Sequence, residues 1–231
     1  MFRYCLVHAS EHPSLAQGRP WPGLLSTREE AILAHLGMPA RRRKWLMGRA
    51  AAKRLVREEF GEDAVPENQI SILNQPSNEP FVLFEGRGAW DRPISISHRS
   101  EIAMAAAPTK SARIGADLET VEPREPALVR QFYADSEARL VETSRDNRDE
   151  VVARIWSAKE AVLKLLGLGL RMDTRSVLVS FAAEPAVDCP VGWQPIDVRI
   201  LAELPRRETI GTMRVVWRRE PDCVLTVAVA G

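Results

Sequence analysis

The chain predicts an α+β fold of two similar lobes with pseudo-twofold symmetry, each an antiparallel sheet packed on a long helix. Three observations carry that expectation. Short β-prone segments bounded by Gly, Pro and Asn recur through both halves, the pattern of antiparallel strands joined by turns. Two long stretches keep apolar residues at helical spacing, one around Trp45 and one around Trp156. Those stretches also align without gaps: "WLMGRAAAK" (Trp45 to Lys53) and "WSAKEAVLK" (Trp156 to Lys164) share Trp first, a charge fifth, Ala sixth and Lys ninth, 111 positions apart. A spacing close to half of 231 residues reads as a duplicated lobe, with lobes expected at 1–108 and 109–231.

The elements follow in order. "FRYCLVHAS" is a first strand. "STREEAILAHLG" opens on a capping Ser and closes at Gly37, which predicts a short helix. "PARRRKWLMGRAAAKRLVREEFG" is the first long helix, with Pro39 at its start, Gly61 at its end, and Leu46, Ala50 and Leu55 or Val56 at helical spacing. Residues 62–93 are rich in Pro, Gly and Asn and hold the strand-like pieces "ISIL" and "FVLF". "PISISHRSEIAMAAAP" alternates as a strand does, and "ARIGADLET" is another strand. "VEPREPA" carries two prolines and reads as a connector. "DSEARLVETS" begins a helix at Asp135, and the polar run "SRDNRDE" separates it from the second long helix, Val151 to Leu166. Strands are expected at "SVLVSFA", "QPIDVRILA", "TIGTMRVVWRR" and "CVLTVAVA".

Composition excludes several classes. Apolar content of 45% and charged content of 27% are those of a soluble globular protein with a substantial core. A net charge of +1 gives no broad attraction to nucleic acid or to a membrane surface, and neither is expected as a partner. Cys5, Cys189 and Cys223 are far apart and odd in number, which argues against a disulfide framework and for a reducing, cytoplasmic setting. "MFRYCLVHAS" has too short an apolar run for a signal peptide. No segment reaches the ~20 apolar residues of a membrane span.

Four stretches hold residues suited to chemistry. In "IGADLE", Asp117 and Glu119 are two apart on a strand and share a face, with Ile114, Ala116 and Leu118 turned to the core. Two carboxylates so close repel unless a cation lies between them, and hard oxygen ligands suit Mg²⁺. In "RIWSAKEAVLKLLGLGL", Glu160 and Lys164 share one helix face with Trp156, while Val152, Ile155, Val162, Leu163 and Leu166 form the core stripe. In "SISHR", Ser97 and His98 end a strand beside Arg99. In "RRRKWLMGRAAAK", Lys44, Arg49 and Lys53 are basic, and Arg49 and Lys53 share a face. Each has a purely structural alternative: a strand with a wet face, a surface ion pair of ~0.3–0.5 kcal/mol, a strand-end histidine bonded to backbone, a solvated basic face.

In combination these stretches resemble the 4′-phosphopantetheinyl transferase superfamily. G-R-x-x-x-K, S-x-S-H, G-x-D-x-E and W-x-x-K-E-x-x-x-K occur in that order, and "QFYADSEARL" resembles the family's F-F-x-x-x-E segment. Length and the apparent duplication are similar to the surfactin-synthetase-activating type, which is two-lobed and monomeric. The likeness covers about residues 40–170. One departure is Glu79 in "NEPF", where many relatives carry Lys. The resemblance implies transfer of 4′-phosphopantetheine from coenzyme A to a serine of an apo acyl or peptidyl carrier protein, with release of adenosine 3′,5′-bisphosphate. It implies Mg²⁺, with Mn²⁺ as a substitute, on Asp117, Glu119 and Glu160. Glu160 would be the base and Lys164 the cation at the leaving phosphate, with Lys159 assisting. Lys44, Arg49, Lys53, Ser97 and His98 would hold the cofactor, in a cleft between the lobes. "VEPREPALVRQFY", with Arg124, Arg130, Phe132 and Tyr133, would meet the carrier's acidic face. The other classes weighed are a non-catalytic protein that binds coenzyme A or a carrier, and a Mg²⁺-dependent phosphohydrolase.

Overall fold

Each of the two long helices lies on an antiparallel sheet. In a computed structural model, which describes residues 1–60, 65–144, 147–181, 189–202 and 211–231, the chain divides into two units, Met1–Ala112 and Arg113–Gly231.

The first unit contains β1 (Phe2–His8), the single turn α1 (Pro13–Ala16), α2 (Thr27–Ala34), α3 (Pro39–Phe60), β2 (Ile70–Asn74), β3 (Pro80–Phe84), β4 (Gly88–Ala89), β5 (Ser95–Arg99) and β6 (Ile102–Pro108). The strands form two antiparallel three-stranded sheets, ordered β1-β6-β5 and β2-β3-β4. Small residues bring α3 close to the first sheet. Ala50, Ala51 and Ala52 are buried, as are Ala103, Ala105, Ala106 and Ala107 of β6. A Cβ at Gly48 would stand 3.1 Å from Ile96 Cγ2. The expected helix stop at Gly61 lies outside the described residues.

The second unit contains β7 (Arg113–Thr120), α4 (Pro126–Phe132), α5 (Asp135–Thr143), α6 (Arg148–Leu165), β8 (Val177–Phe181), β9 (Gln194–Ile200), β10 (Met213–Arg219) and β11 (Cys223–Ala230). Its antiparallel sheet is ordered β7-β11-β10-β9-β8. Helix α6 packs on β7 and β11 over Ile155, Ala158, Ala161, Val162 and Leu165. Residues 209 and 210 of the expected strand "TIGTMRVVWRR", and residue 182 of "SVLVSFA", lie outside the described residues.

Two expectations are corrected. "PISISHRSEIAMAAAP" is a hairpin rather than one strand. Ser100 takes φ 50°, in the left-handed region that lets the chain reverse, and Arg99 pairs with Ile102. "VEPREPA" is a connector only in part, because Pro126 is the first residue of α4, where a missing N–H costs the helix nothing.

The units share one buried device. In the first, Lys53 is fully buried and its ammonium is paired with Glu29, while also donating to the carbonyls of Leu24 (2.5 Å) and Glu67 (3.0 Å). Glu29 caps α2 by accepting the Ser26 N–H at 3.1 Å and also accepts the β2 N–H of Ile72 at 2.9 Å. In the second unit, Lys159 Nζ lies 2.8 Å from Glu137 Oε2 and donates to the carbonyls of Thr174 (2.8 Å) and Val177 (2.7 Å). Glu137 caps α5 through the Ala134 N–H at 2.8 Å and accepts the β8 N–H of Val179 at 2.8 Å. One lysine and one glutamate thus staple a long helix, a short helix and a strand in each unit. The carboxylate of each pair opposes the effect of burial, which pushes both ammonium groups below their ordinary value. Buried charges persist when they are paired and fully hydrogen-bonded, as both are. Lys53 and Lys159 are 106 positions apart, whereas the two Trp segments align at 111.

Candidate active site

The site grows from the crossing of α6 over β7. A Cβ at Gly115 would overlap the Ala161 carbonyl oxygen and stand 2.5 Å from the Leu165 amide nitrogen, so only glycine permits this approach. Gly115, Asp117 and Glu119 alternate along β7 onto one face, and α6 lies over it. Both faces of the strand are buried, with Asp117 and Glu119 4% and 8% exposed, so neither the wet face nor a single core face describes it.

The close approach brings a helix lysine onto a strand carboxylate. Lys164 Nζ donates to Asp117 Oδ1 at 2.8 Å and to the Ala116 carbonyl at 3.0 Å. Glu160, one turn earlier and half-buried, makes no hydrogen bond or ion pair among the described residues. Its carboxyl is pushed above the ordinary 4.5, first by burial and then by the negative charge of Asp117, against the pull of Lys164. Asp117, Glu160 and Lys164 therefore form one electrostatic cluster. Glu119 is engaged elsewhere, accepting from Arg124 Nη2 at 2.8 Å. Trp156, a turn before Glu160, packs edge-on against Phe132 of α4 with ring centroids 5.3 Å apart.

The residues expected to hold a cofactor separate into two groups. Lys44 is exposed on α3, and His98 is exposed beside the buried Ser97 on β5. Arg49 is 9% exposed, stacks on Trp45 at 4.3 Å and donates to Asn74 Oδ1 at 3.0 Å. Lys53 and Lys159 are corrections: both are sealed in the staples, with side chains 0% exposed, and present no ammonium to a ligand. Sequence reasoning missed Glu29 and Glu137, and it gave Arg124 to the carrier's face without its pairing to Glu119. Ser26-x-x-Glu29 was a readable capping box. Ala134 gives Glu137 no such signal, and nothing local links Arg124 to Glu119.

A divalent cation fits the donor chemistry here. Asp117 and Glu160 are hard oxygen donors whose mutual repulsion such an ion would relieve. Among the described residues no three acids, histidines or cysteines gather closely enough to hold a metal together. Mg²⁺ commonly takes one or two carboxylates and fills its other positions with water and phosphate oxygens.

The fold and cluster describe an α+β protein with acids and a lysine gathered where a long helix crosses a strand. Comparison with known proteins makes this specific. Residues 113–199 match the family model described as the 4′-phosphopantetheinyl transferase superfamily. The chain is 26% identical over 147 residues to the 4′-phosphopantetheinyl transferase psf-1 of Bacillus pumilus, an alignment covering 63% of this chain and 58% of that one. It is 24% identical over 211 residues to the 4′-phosphopantetheinyl transferase HetI of a Nostoc species, covering 90% and 79%. Among solved structures, the holo-[acyl-carrier-protein] synthase of Thermotoga maritima aligns at a TM-score of 0.41 and 20% identity, over 51% of this chain and 62% of that one. On the family match over residues 113–199 and the named relatives, the chain is similar to the 4′-phosphopantetheinyl transferase superfamily. The alignment spans less than two thirds of the length of the Bacillus pumilus relative.

Proposed function

We propose that the protein transfers 4′-phosphopantetheine from coenzyme A to a serine hydroxyl of an apo acyl or peptidyl carrier protein. The observation that carries this reading is the Asp117–Glu160–Lys164 cluster, which falls inside the matched segment. The serine oxygen forms a bond to the phosphorus bearing pantetheine, and the bond from that phosphorus to the bridging oxygen breaks. Adenosine 3′,5′-bisphosphate leaves with that oxygen. Glu160 takes the serine proton, and a carboxyl held above its ordinary value is a stronger base once ionised. Lys164 donates toward the negative charge that builds on the leaving phosphate, from a position fixed by Asp117 and the Ala116 carbonyl. Bound Mg²⁺, held by Asp117 and Glu160 with Glu119 joining only on release from Arg124, would neutralise pyrophosphate charge. Lys44, Arg49, Ser97 and His98 keep their assignment to the nucleotide end of the cofactor. The two-unit chain is read as the surfactin-synthetase-activating, monomeric type.

The test is loading of an apo carrier with coenzyme A and Mg²⁺, followed by intact mass. Glu160→Gln should lower the rate by about 10²-fold or more, the usual contribution of a general base. Loading at the wild-type rate would overturn the assignment. Release of adenosine bisphosphate without any carrier would show a hydrolase instead.

A further inference from the structure

Among the described residues, β1, β2 and β8 each lie at one edge of a sheet. Their ladders show which backbone groups point outward, because residues of an antiparallel strand alternate between facing the neighbour and facing away. The Thr109 N–H donates to the Met1 carbonyl at 3.1 Å and the Ala9 N–H to the Glu101 carbonyl at 2.8 Å, so Leu6 and His8 of β1 face away from β6. The Leu201 N–H donates to the Ser176 carbonyl at 2.8 Å, so Val177 and Val179 of β8 face away from β9. An ion pair meets the outward groups in both places. On β1, Glu11 accepts the His8 N–H at 3.1 Å, Arg54 donates to the Leu6 carbonyl at 3.3 Å, and the two side chains are 3.2 Å apart. On β8, Glu137 accepts the Val179 N–H at 2.8 Å, Lys159 donates to the Val177 carbonyl at 2.7 Å, and the two are paired at 2.8 Å. On β2, Glu29, paired with Lys53, accepts the Ile72 N–H at 2.9 Å. Ile72 also faces outward, since Gln69 and Gln75 bond across to the β3 side.

We propose that these ion pairs stand in for a missing neighbour strand and close the sheet edges to a strand from a second copy of this chain. The carbonyl of one residue and the N–H two residues later are the groups that one residue of an incoming parallel strand would bond. The cation supplies that residue's donor and the carboxylate its acceptor. A like strand is the partner such an edge invites, because its donors and acceptors carry the same spacing. On β8 and β2 the closing pair is also a buried staple, so opening the edge would break the unit. On β1 the Arg54 and Glu11 side chains are 36% and 42% exposed, so their removal strands no buried charge.

The test is therefore made on β1. Sedimentation velocity over a concentration series compares the intact protein with Glu11→Ala/Arg54→Ala. The double variant should self-associate at least about tenfold more tightly than wild type, the scale of two backbone hydrogen bonds gained. Amide hydrogen exchange at Leu6 and His8 should be slower in its associated form than in its dilute form. A double variant that associates no more tightly than wild type overturns the inference. So does association that leaves exchange at Leu6 and His8 unchanged, because the contact then lies elsewhere. Far-UV circular dichroism checks folding; if the double variant is not folded, Glu11→Ala decides by the same two measurements.

Discussion

At the scale of single residues, Glu160 and Lys159 are neighbours with opposite fates. Lys159 is sealed against Glu137, whereas Glu160 stands half-buried beside Asp117. Removing one partner of a buried pair strands the other charge, so Lys159→Met should cost about 3–5 kcal/mol. Urea unfolding measures it, and adding Glu137→Leu should recover only part of the loss, because the Ala134 and Val179 N–H groups then lose their acceptor. For Glu160 the prediction is a pH dependence. Its folded carboxyl titrates above the unfolded value of 4.5, so the unfolded chain ionises first. Relative to Glu160→Gln, the wild type should lose stability as pH rises from 4.5 through the raised folded value, and lose none below 4.5. Urea midpoints in chelator across that range check the sign. Asp117, Glu160 and Lys164 were legible from strand and helix spacing, because periodicity fixes which residues share a face. The burial of Lys53 and Lys159 was not, because a lysine's sequence position does not say whether its stem runs to solvent or to a buried acid.

At the scale of elements, the crossing of α6 over β7 depends on the absence of one side chain. Gly115→Ala would drive a methyl group into the α6 backbone, which can yield only by moving the helix. The expected cost is at least about 1–3 kcal/mol, with loss of carrier loading because Lys164 leaves Asp117. Gly48→Ala on α3 meets only a side-chain methyl of Ile96 at 3.1 Å and should be tolerated within about 1 kcal/mol. Thermal unfolding of the two variants tests the contrast. The long helices and most strands were legible because their apolar periods are long. The break at Ser100 was not, since Ser gives no strong turn signal and alternation continues across it. Helix α4 was hidden because its opening proline looks the same in a connector and at a helix start.

At the scale of the whole molecule, each unit has its own core, and among the described residues no helix is long and apolar enough to cross a membrane. Under the proposed function, chelating divalent cations should stop carrier loading and Mg²⁺ or Mn²⁺ should restore it, read by intact mass; loading that persists in chelator would count against a metal-assisted transfer. The division into two units was legible from the Trp segments, but the pairing of the staple lysines was not, since matched residue types need not be matched positions. Counted from the staples, Arg54 and Glu58 stand where α6 carries Glu160 and Lys164, with the charges reversed. That arrangement gives the chain a built-in control. Lys53→Met removes the same interaction as Lys159→Met, but on a helix without Glu160 or Lys164. Whatever activity the second substitution loses beyond the first measures how much more catalysis depends on holding α6 still than on α3, the helix of Lys44 and Arg49, with the cost of an unpaired glutamate subtracted inside a single polypeptide.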